Sequence, residues 1–341
     1  MEGSSVVATT FLSPSRAFQR TLKRIVNPVA AVKYKMGTPF ELREGQSRYF
    51  HKLPSGLNLE VIQQKGDALS SEDSFSERNR PLVFVHGSYH AAWCWAEHWL
   101  PFFSGLGFDC YALSLLGQGE SDEPLNLTPG TLETHASDIG HFMQKTLSAP
   151  PVLLGHSFGG LIVQYYISRI RNNRSEGDKL YPDLAGAALI CSVPPTGNGG
   201  IVWRYIFSKP IIAYKVTLSL AAKAFQTDLS LCKETFFSKA MEDHLLKRYQ
   251  KLMTESSRAA MFDLRKLNGS LPVASVPKSS IEILVLGATD DMIVDKEALK
   301  ETGRFYDVQP VWVEGIGHDI MLDSSWKKGA EAVYSWLLGS K

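Results

Sequence analysis

The sequence predicts an α/β protein with a mostly parallel central sheet, helices on both faces of that sheet and an inserted helical cap. Short apolar runs alternate with helix-like segments from residue 81 to residue 190. Strand-like runs return at residues 281–287 and 311–313, whereas residues 196–276 contain no strand pattern. Alternating strands and helices are typical of parallel sheets, because parallel strands need long crossover connections.

The elements follow one another in a regular order. Residues 48–53 and 57–62 alternate in polarity around Pro54-Ser55-Gly56, a pattern that predicts a β-hairpin. The predicted strands of the parallel part cover residues 81–85, 110–113, 151–155, 186–191, 281–287 and 311–313, and the predicted helices include residues 131–147, 211–224, 233–237 and 242–254.

These elements divide the chain into three parts. Residues 1–45 are predicted to be an organelle transit peptide and linker, residues 46–195 and 277–341 the core, and residues 196–276 a helical cap insertion. About 80 residues are too many for a plain connection, and long insertions over a site are usually lids.

The most informative motif is Gly155-His156-Ser157-Phe158-Gly159, which joins an apolar run to a helix-like segment. A serine at the apex of a strand-to-helix turn needs a strained backbone and close neighbours, so side chains at both glycines would collide. The turn also places the hydroxyl at a helix N-terminus, which favours negative charge. Ser157 is therefore the predicted nucleophile.

A base and an acid follow later strands. Asp290 and Asp291 come directly after the strand at residues 281–287, and His318 lies in a glycine-rich loop after residues 311–313. The carboxyl ends of parallel strands meet at one edge of a sheet, so these groups can converge on Ser157. A serine hydroxyl needs a base to take its proton, and an acid holds the imidazole in one tautomer.

The chain resembles the α/β-hydrolase superfamily across roughly residues 45–341, in the motif at Ser157 and in the order serine, acid, histidine. Asp291-Met292-Ile293-Val294 resembles the D-x-I-V pattern of many members, so Asp291 is the predicted acid and Asp290 the alternative. The resemblance of His86-Gly87 to the oxyanion loop implies that the backbone N–H groups of Ser88 and Phe158 form the oxyanion hole. His86 itself is expected to be buried and to brace this loop by hydrogen bonds.

The first loop points to a narrower resemblance. Residues 86–95 are similar to the H-G-x-x-H-G-A-W-x-W stretch of plant methyl esterases and hydroxynitrile lyases, with Ala91 in place of glycine. Those lyases generally carry a lysine after the catalytic histidine to hold cyanide. Asp319 stands there in this chain, and its negative charge is expected to repel cyanide, which favours ester hydrolysis.

The resulting hypothesis is a serine hydrolase that cleaves a carboxylic ester of a small or medium apolar substrate through an acyl-enzyme intermediate. It requires neither a cofactor nor a metal. The alternatives are a ligand-binding receptor of the same fold with weak or no turnover, and a lyase. Aromatic side chains of the insertion are candidates to line the pocket, among them Trp203, Tyr205, Phe207, Tyr214, Phe225, Phe236 and Phe237.

Composition limits the partners. The formal net charge is +1, from 36 basic and 35 acidic residues, which gives no indication of nucleic acid or of a strongly charged membrane surface. No apolar run is long enough for a transmembrane segment. Four scattered cysteines contain no C-x-x-C pair and are predicted to be buried free thiols. The oligomeric state does not follow from the sequence.

The N-terminal segment has a different composition. Up to residue 40 it contains six basic residues and one acid, Glu2, together with many serines and threonines. Such a composition is typical of an organelle transit peptide. Because the first loop is similar to plant proteins, the predicted location is the chloroplast, with the mitochondrion or cytoplasm as alternatives. A basic tail without an address function stays open as well.

Overall fold

In the computed structural model, which describes residues 35–67, 80–124, 127–170, 180–275 and 281–339, the centre of the protein is an eight-stranded sheet. Its strand order is β1-β2-β4-β3-β5-β6-β7-β8. β2 pairs antiparallel with β1 and β4, and all other neighbours are parallel. The predicted fold class is therefore confirmed. The strands are β1 Gln46–Lys52, β2 Asn58–Gln64, β3 Leu82–Val85, β4 Cys110–Leu113, β5 Val152–His156, β6 Gly186–Ile190, β7 Ile283–Ala288 and β8 Val311–Val313.

Helices cover both faces of the sheet. Those of the core are α1 Trp93–Ala96, α2 Trp99–Ser104, α3 Leu132–Thr146, α4 Phe158–Ile170, α10 Lys296–Tyr306 and α11 Trp326–Leu337. α3 begins where the sequence predicts, because the Thr131 side chain accepts the N–H of Thr134 and the Thr134 side chain accepts that of Thr131.

Alternation within the strands divides the interior into two hydrophobic cores. In β3 the Val83 and Val85 side chains belong to the core that includes Leu161 of α4, whereas Phe84 lies in the opposite core with Trp95. Strands that are buried on both faces read as continuous apolar runs, which is why β3 has no polar alternation.

The segment between β6 and β7 contains helices and no strand in its described part. They are α5 Gly199–Ser208, α6 Pro210–Leu220, α7 Leu229–Phe236, α8 Asp243–Ser256 and α9 Leu264–Gly269, with a 3₁₀ turn at Ala224–Gln226. The helix α5 is not predicted from the sequence, because the run Pro194–Gly200, which includes its first two residues, has the composition of a loop. Residues 276–280, where the predicted cap ends, lie outside the described residues.

One compact unit of the chain starts at Lys35, before the start of the predicted core at residue 46. Met36 and Phe40 are buried in the same core as Trp95. The N–H of Thr38 also donates to the Glu255 side chain at 2.7 Å. The sequence does not reveal this, because the segment has no periodic pattern. Residues 1–34, which contain most of the predicted transit peptide, lie outside the described residues.

All four cysteines are buried free thiols, as predicted. None of the described helices has both the length and the hydropathy needed to cross a bilayer.

Candidate active site

Ser157 lies at a strained turn between β5 and α4. Its φ of 54° is a left-handed conformation that residues with side chains rarely adopt. A Cβ at Gly155 would lie 2.5 Å from the Gly159 carbonyl oxygen, and one at Gly159 would lie 2.4 Å from the His86 carbonyl oxygen. The Ser157 N–H donates to the Ile190 carbonyl at 3.0 Å. Only glycines allow this approach of β5, α4 and the loop after β3.

His318 and Asp291 form a buried pair beside this turn. The Nδ1 of His318 lies 2.7 Å from Oδ2 of Asp291, and both side chains are only 2% exposed. The other carboxylate oxygen of Asp291 accepts the N–H groups of Ile293 and Val294, at 2.7 and 2.9 Å. These bonds fix the carboxylate, so Oδ2 remains free to receive the imidazole N–H.

The neighbouring carboxylate lies in another environment. Asp290 is exposed, and its Oδ1 accepts a hydrogen bond from its neighbour Thr289 at 3.2 Å. The geometry therefore favours Asp291 over Asp290 as the partner of His318.

The charges around His318 suit a base. Burial by itself lowers the pKa of His318, but the charge of Asp291, the hydrogen bond to it and the charge of Asp319 raise that pKa above its ordinary value. A negative charge near an imidazole stabilises its protonated form. The site thus stabilises the imidazolium that forms when His318 takes a proton.

A buried histidine orients the loop after β3. Nδ1 of His86 lies 2.8 Å from the Gly87 carbonyl oxygen, and its Nε2 accepts the N–H of Leu115 at 3.0 Å. These two bonds fix the tautomer, with the proton on Nδ1. Burial lowers the pKa of His86 to about 3, so the ring is neutral. Because the Gly87 carbonyl shares a peptide plane with the Ser88 N–H, His86 orients the predicted oxyanion donor.

A second buried histidine, for which no sequence pattern indicates a role, contacts the next peptide. Nδ1 of His90 lies 2.8 Å from the Ser88 carbonyl oxygen, and its Nε2 lies 2.9 Å from Oδ2 of Asp319. A carbonyl can only accept, so Nδ1 donates to it, and the other ring nitrogen contacts the Asp319 carboxyl. Asp319 therefore links the His318 loop to the loop that carries Ser88.

His156, at the end of β5, connects the turn at Ser157 to the loop that carries His318. Its Nε2 donates to the backbone carbonyl of His318 at 3.0 Å. Burial, with the nearby His318 and His90 rings, lowers its pKa well below the ordinary value, so the ring is neutral. A histidine before the nucleophile gives no signal of this contact in the sequence, because its partner lies 162 residues later.

A cavity of about 590 Å³ opens above Ser157. Ser88, Phe158 and His318 line it together with apolar side chains of α5 and α6. Gly87 approaches so closely that a Cβ there would lie 2.8 Å from Cβ of Ser157. The cavity thus brings together the predicted nucleophile, base and oxyanion donors.

Two of the seven candidate aromatics of the insertion line this cavity, Tyr205 and Phe236. Phe225 and Phe237 are buried elsewhere in the core, and the other three, Trp203, Phe207 and Tyr214, are exposed. Sequence alone cannot separate these cases, because helix packing decides which face meets the cavity.

In the part of the chain that the structure describes, two clusters of potential metal ligands share His318. One adds His156 and Asp319, the other Cys191 and Asp291. Burial and the charges of Asp291 and Asp319 raise the pKa of the Cys191 thiol well above its ordinary value, which disfavours the thiolate that metals bind. The Nδ1 of His318 is already bonded to Asp291. Hydrogen bonding thus accounts for the arrangement of both clusters.

Comparison with known proteins agrees with this architecture. The profile of the Alpha/beta hydrolase family matches residues 82–332. The chain belongs to this family. Among solved structures, an esterase from Exiguobacterium antarcticum superposes with a TM-score of 0.62 at 20% identity, covering 86% of this chain and all of that one.

The sequence relatives include methylesterases. Protein phosphatase methylesterase 1 of Bos taurus is 29% identical over 170 residues, 47% of this chain and 42% of that protein. Methylesterase 2 of Arabidopsis thaliana is 38% identical over 93 residues, 26% of this chain and 34% of that protein. The chain thus matches less than half the length of either relative.

Asp319 influences the cavity through its charge and not by direct contact. It is fully buried and is not among the residues that line the cavity, and its carboxylate faces His90. Its charge nevertheless raises the pKa of His318, so it remains unfavourable to an anion such as cyanide near that ring. The lysine that hydroxynitrile lyases carry after the catalytic histidine is also absent, and this position holds no cation that could bind cyanide.

Proposed function

We propose that this chain is a serine hydrolase that cleaves a carboxylic ester of a small or medium apolar molecule. The observation that carries the proposal is the buried 2.7 Å contact between His318 and Asp291. His318 and the strained Ser157 line the same cavity.

In the first step, Ser157 Oγ attacks the ester carbonyl while Nε2 of His318 takes the hydroxyl proton. Asp291 keeps the other nitrogen protonated and stabilises the imidazolium. The N–H groups of Ser88 and Phe158 bind the oxyanion of the tetrahedral intermediate. His318 then returns the proton to the leaving alcohol as the carbon–oxygen bond breaks.

In the second step, water replaces the alcohol. His318 removes a proton from that water, which attacks the acyl-enzyme carbonyl, and the same oxyanion donors act again. Collapse of this intermediate releases the acid and returns the proton to Ser157. No step requires a metal or a cofactor.

The walls of the cavity support an apolar substrate. Side chains such as Ile201, Met261 and Phe262 surround the space above Ser157. A largely apolar pocket with few polar groups is typical of small-molecule sites. The relatives named methylesterases make methyl esters of apolar carboxylic acids the first substrates to test.

Fluorophosphonate labelling tests the proposal. The wild-type protein should be labelled, and Ser157→Ala should lose both labelling and p-nitrophenyl ester turnover. The matched control is Ser257→Ala, which removes another serine at the same cavity and should keep labelling. Ester turnover by folded Ser157→Ala would refute the mechanism. Tight ligand binding by a wild-type protein that is not labelled would favour the receptor alternative.

We also propose that the N-terminal segment directs the protein to the chloroplast. The support is compositional: six basic residues and one acid up to residue 40, with many hydroxyl side chains. A fluorescent protein fused behind residues 1–45 should enter chloroplasts in plant cells. Fluorescence in mitochondria or throughout the cytoplasm would reject this location.

A further inference from the structure

The helical hairpin of α5 and α6 concentrates exposed apolar side chains on its outer surface. Among the described residues, twelve large hydrophobic side chains are exposed, and seven of them lie within residues 202–218. Trp203 is 61% exposed, Phe207 79%, Ile211 73% and Tyr214 68%. The set, here called the hairpin surface, is Val202, Trp203, Ile206, Phe207, Ile211, Tyr214 and Leu218.

The spacing places these side chains on continuous helix faces. Trp203 and Phe207 are four residues apart, and their rings stack with centroids 5.7 Å apart. Ile211, Tyr214 and Leu218 follow at intervals of three and four on α6. A contiguous exposed apolar surface marks a binding site more often than scattered side chains do.

The charge of the hairpin is of one sign. Residues 199–223 contain four basic side chains and no acid. Arg204 pairs with Asp295 and Lys215 with Glu234. Lys209, at the turn between the two helices, is exposed and lies over the Tyr205 ring, 5.6 Å from its centroid.

The hairpin surface is also continuous with the cavity. Val202 and Ile206 belong to the exposed set and line the space above Ser157 as well. The same two helices therefore present one apolar face to the cavity and another to the surroundings.

We propose that the hairpin surface docks onto a lipid bilayer that contains anionic lipids. Exposed tryptophan, tyrosine and phenylalanine beside lysine are the side chains that favour the bilayer interface. Anionic headgroups complement the basic turn at Lys209, whereas a second copy of the chain would bring like charges together. Such docking is interfacial, and it places the mouth of the cavity next to a phase that dissolves apolar molecules.

Vesicle flotation tests the proposal with lipids that cannot be hydrolysed as esters. The vesicles are made of diether phosphatidylcholine, with or without diether phosphatidylglycerol. The wild-type protein should float with the mixed vesicles. Trp203→Ser/Phe207→Ser should lower the partition coefficient about a hundredfold or more, since two aromatic rings that would be buried in the bilayer interface are lost.

Three single variants separate the contributions. Phe50→Ser removes an exposed phenylalanine on β1, far along the chain from the hairpin, and should bind like wild type, whereas Phe207→Ser should bind less. Lys209→Gln should weaken binding to the mixed vesicles and change binding to pure phosphatidylcholine much less. Circular dichroism and melting temperature check that each variant folds.

Three results would overturn the proposal. The first is a wild-type protein that does not float, and the second is a double variant that floats as well as wild type. The third is a wild-type dimer in light scattering that Trp203→Ser/Phe207→Ser abolishes, without vesicle binding, since a second copy would then cover the surface. Because diether lipids contain no carboxylic ester, failure here leaves the hydrolase proposal intact, and loss of labelling at Ser157 leaves this one intact.

Discussion

In the proposed mechanism, the chemistry of the site depends on His318. Its ring is buried, contacts Asp291 through Nδ1 and lies next to Asp319 in the chain. The raised pKa of His318 has a consequence for activity, because only the neutral ring can accept the proton of Ser157. Protonation below that pKa removes the base.

The choice between the two adjacent carboxylates is a prediction at this scale. Asp291→Asn should reduce kcat about 10⁴-fold, because an amide can stabilise the wrong tautomer of His318 and no longer balances its charge. Asp290→Asn is the matched control and should retain nearly normal activity, since its side chain is exposed. Steady-state hydrolysis of p-nitrophenyl esters measures both; a larger loss in Asp290→Asn would show that the assignment is reversed.

The pH dependence gives a second prediction. We expect kcat/KM for an ester without ionisable groups to fall on the acid side with a midpoint above about 6.5, the ordinary pKa of histidine. The sign follows from the raised pKa of His318, since the active neutral form is lost as the pH falls through it. The rate of fluorophosphonate labelling should follow the same curve. A midpoint at or below the ordinary value would contradict the assignment of His318.

At the scale of elements, the helical insertion supports both loops that surround Ser157. The Tyr89 hydroxyl donates to the Leu220 carbonyl of α6 at 2.6 Å. The N–H of Asp319 donates to the Phe236 carbonyl of α7 at 2.8 Å. Replacing the whole insertion by a linker would therefore disturb the His318 loop as well as the cavity, so specificity has to be tested with single side chains.

Tyr205 is the side chain that the structure selects for this test. It is buried, belongs to α5 and lines the cavity. Tyr205→Ala should enlarge the cavity and shift the preference among water-soluble p-nitrophenyl esters toward longer acyl chains, while labelling of Ser157 continues. Trp203→Ala on the exposed side of the same helix is the control. An unchanged ranking of chain lengths in Tyr205→Ala would assign specificity to other walls.

At the scale of the whole molecule, the positions of charged and buried residues along the chain say more about membrane docking and folding than their total numbers do. A net charge of +1 gives no sign of a membrane surface, yet residues 199–223 are locally basic and apolar. The start of the unit at Lys35 depends on long-range packing, since Met36 and Phe40 complete a core formed mostly by residues far along the chain.

Truncation tests this boundary. A protein that starts at Lys35 should melt at the temperature of the full chain. One that starts at Gln46 loses the buried Met36 and Phe40 and should be destabilised by at least about 3 kcal/mol. Thermal unfolding measures the difference. Equal melting temperatures would show that residues 35–45 add nothing to the core, as the sequence-based division implies.

The sequence by itself predicts the fold class and the residues that end its strands, because apolar runs and glycine-rich turns are local patterns. The turn at Ser157 and the loops with Asp291 and His318 are identified in this way. The contacts of His90, His156 and Asp319 are decided only by the tertiary structure, since their partners come from distant strands and loops. The same holds for Tyr205 and Trp203: helix packing buries one and exposes the other, although only two positions separate them in the chain.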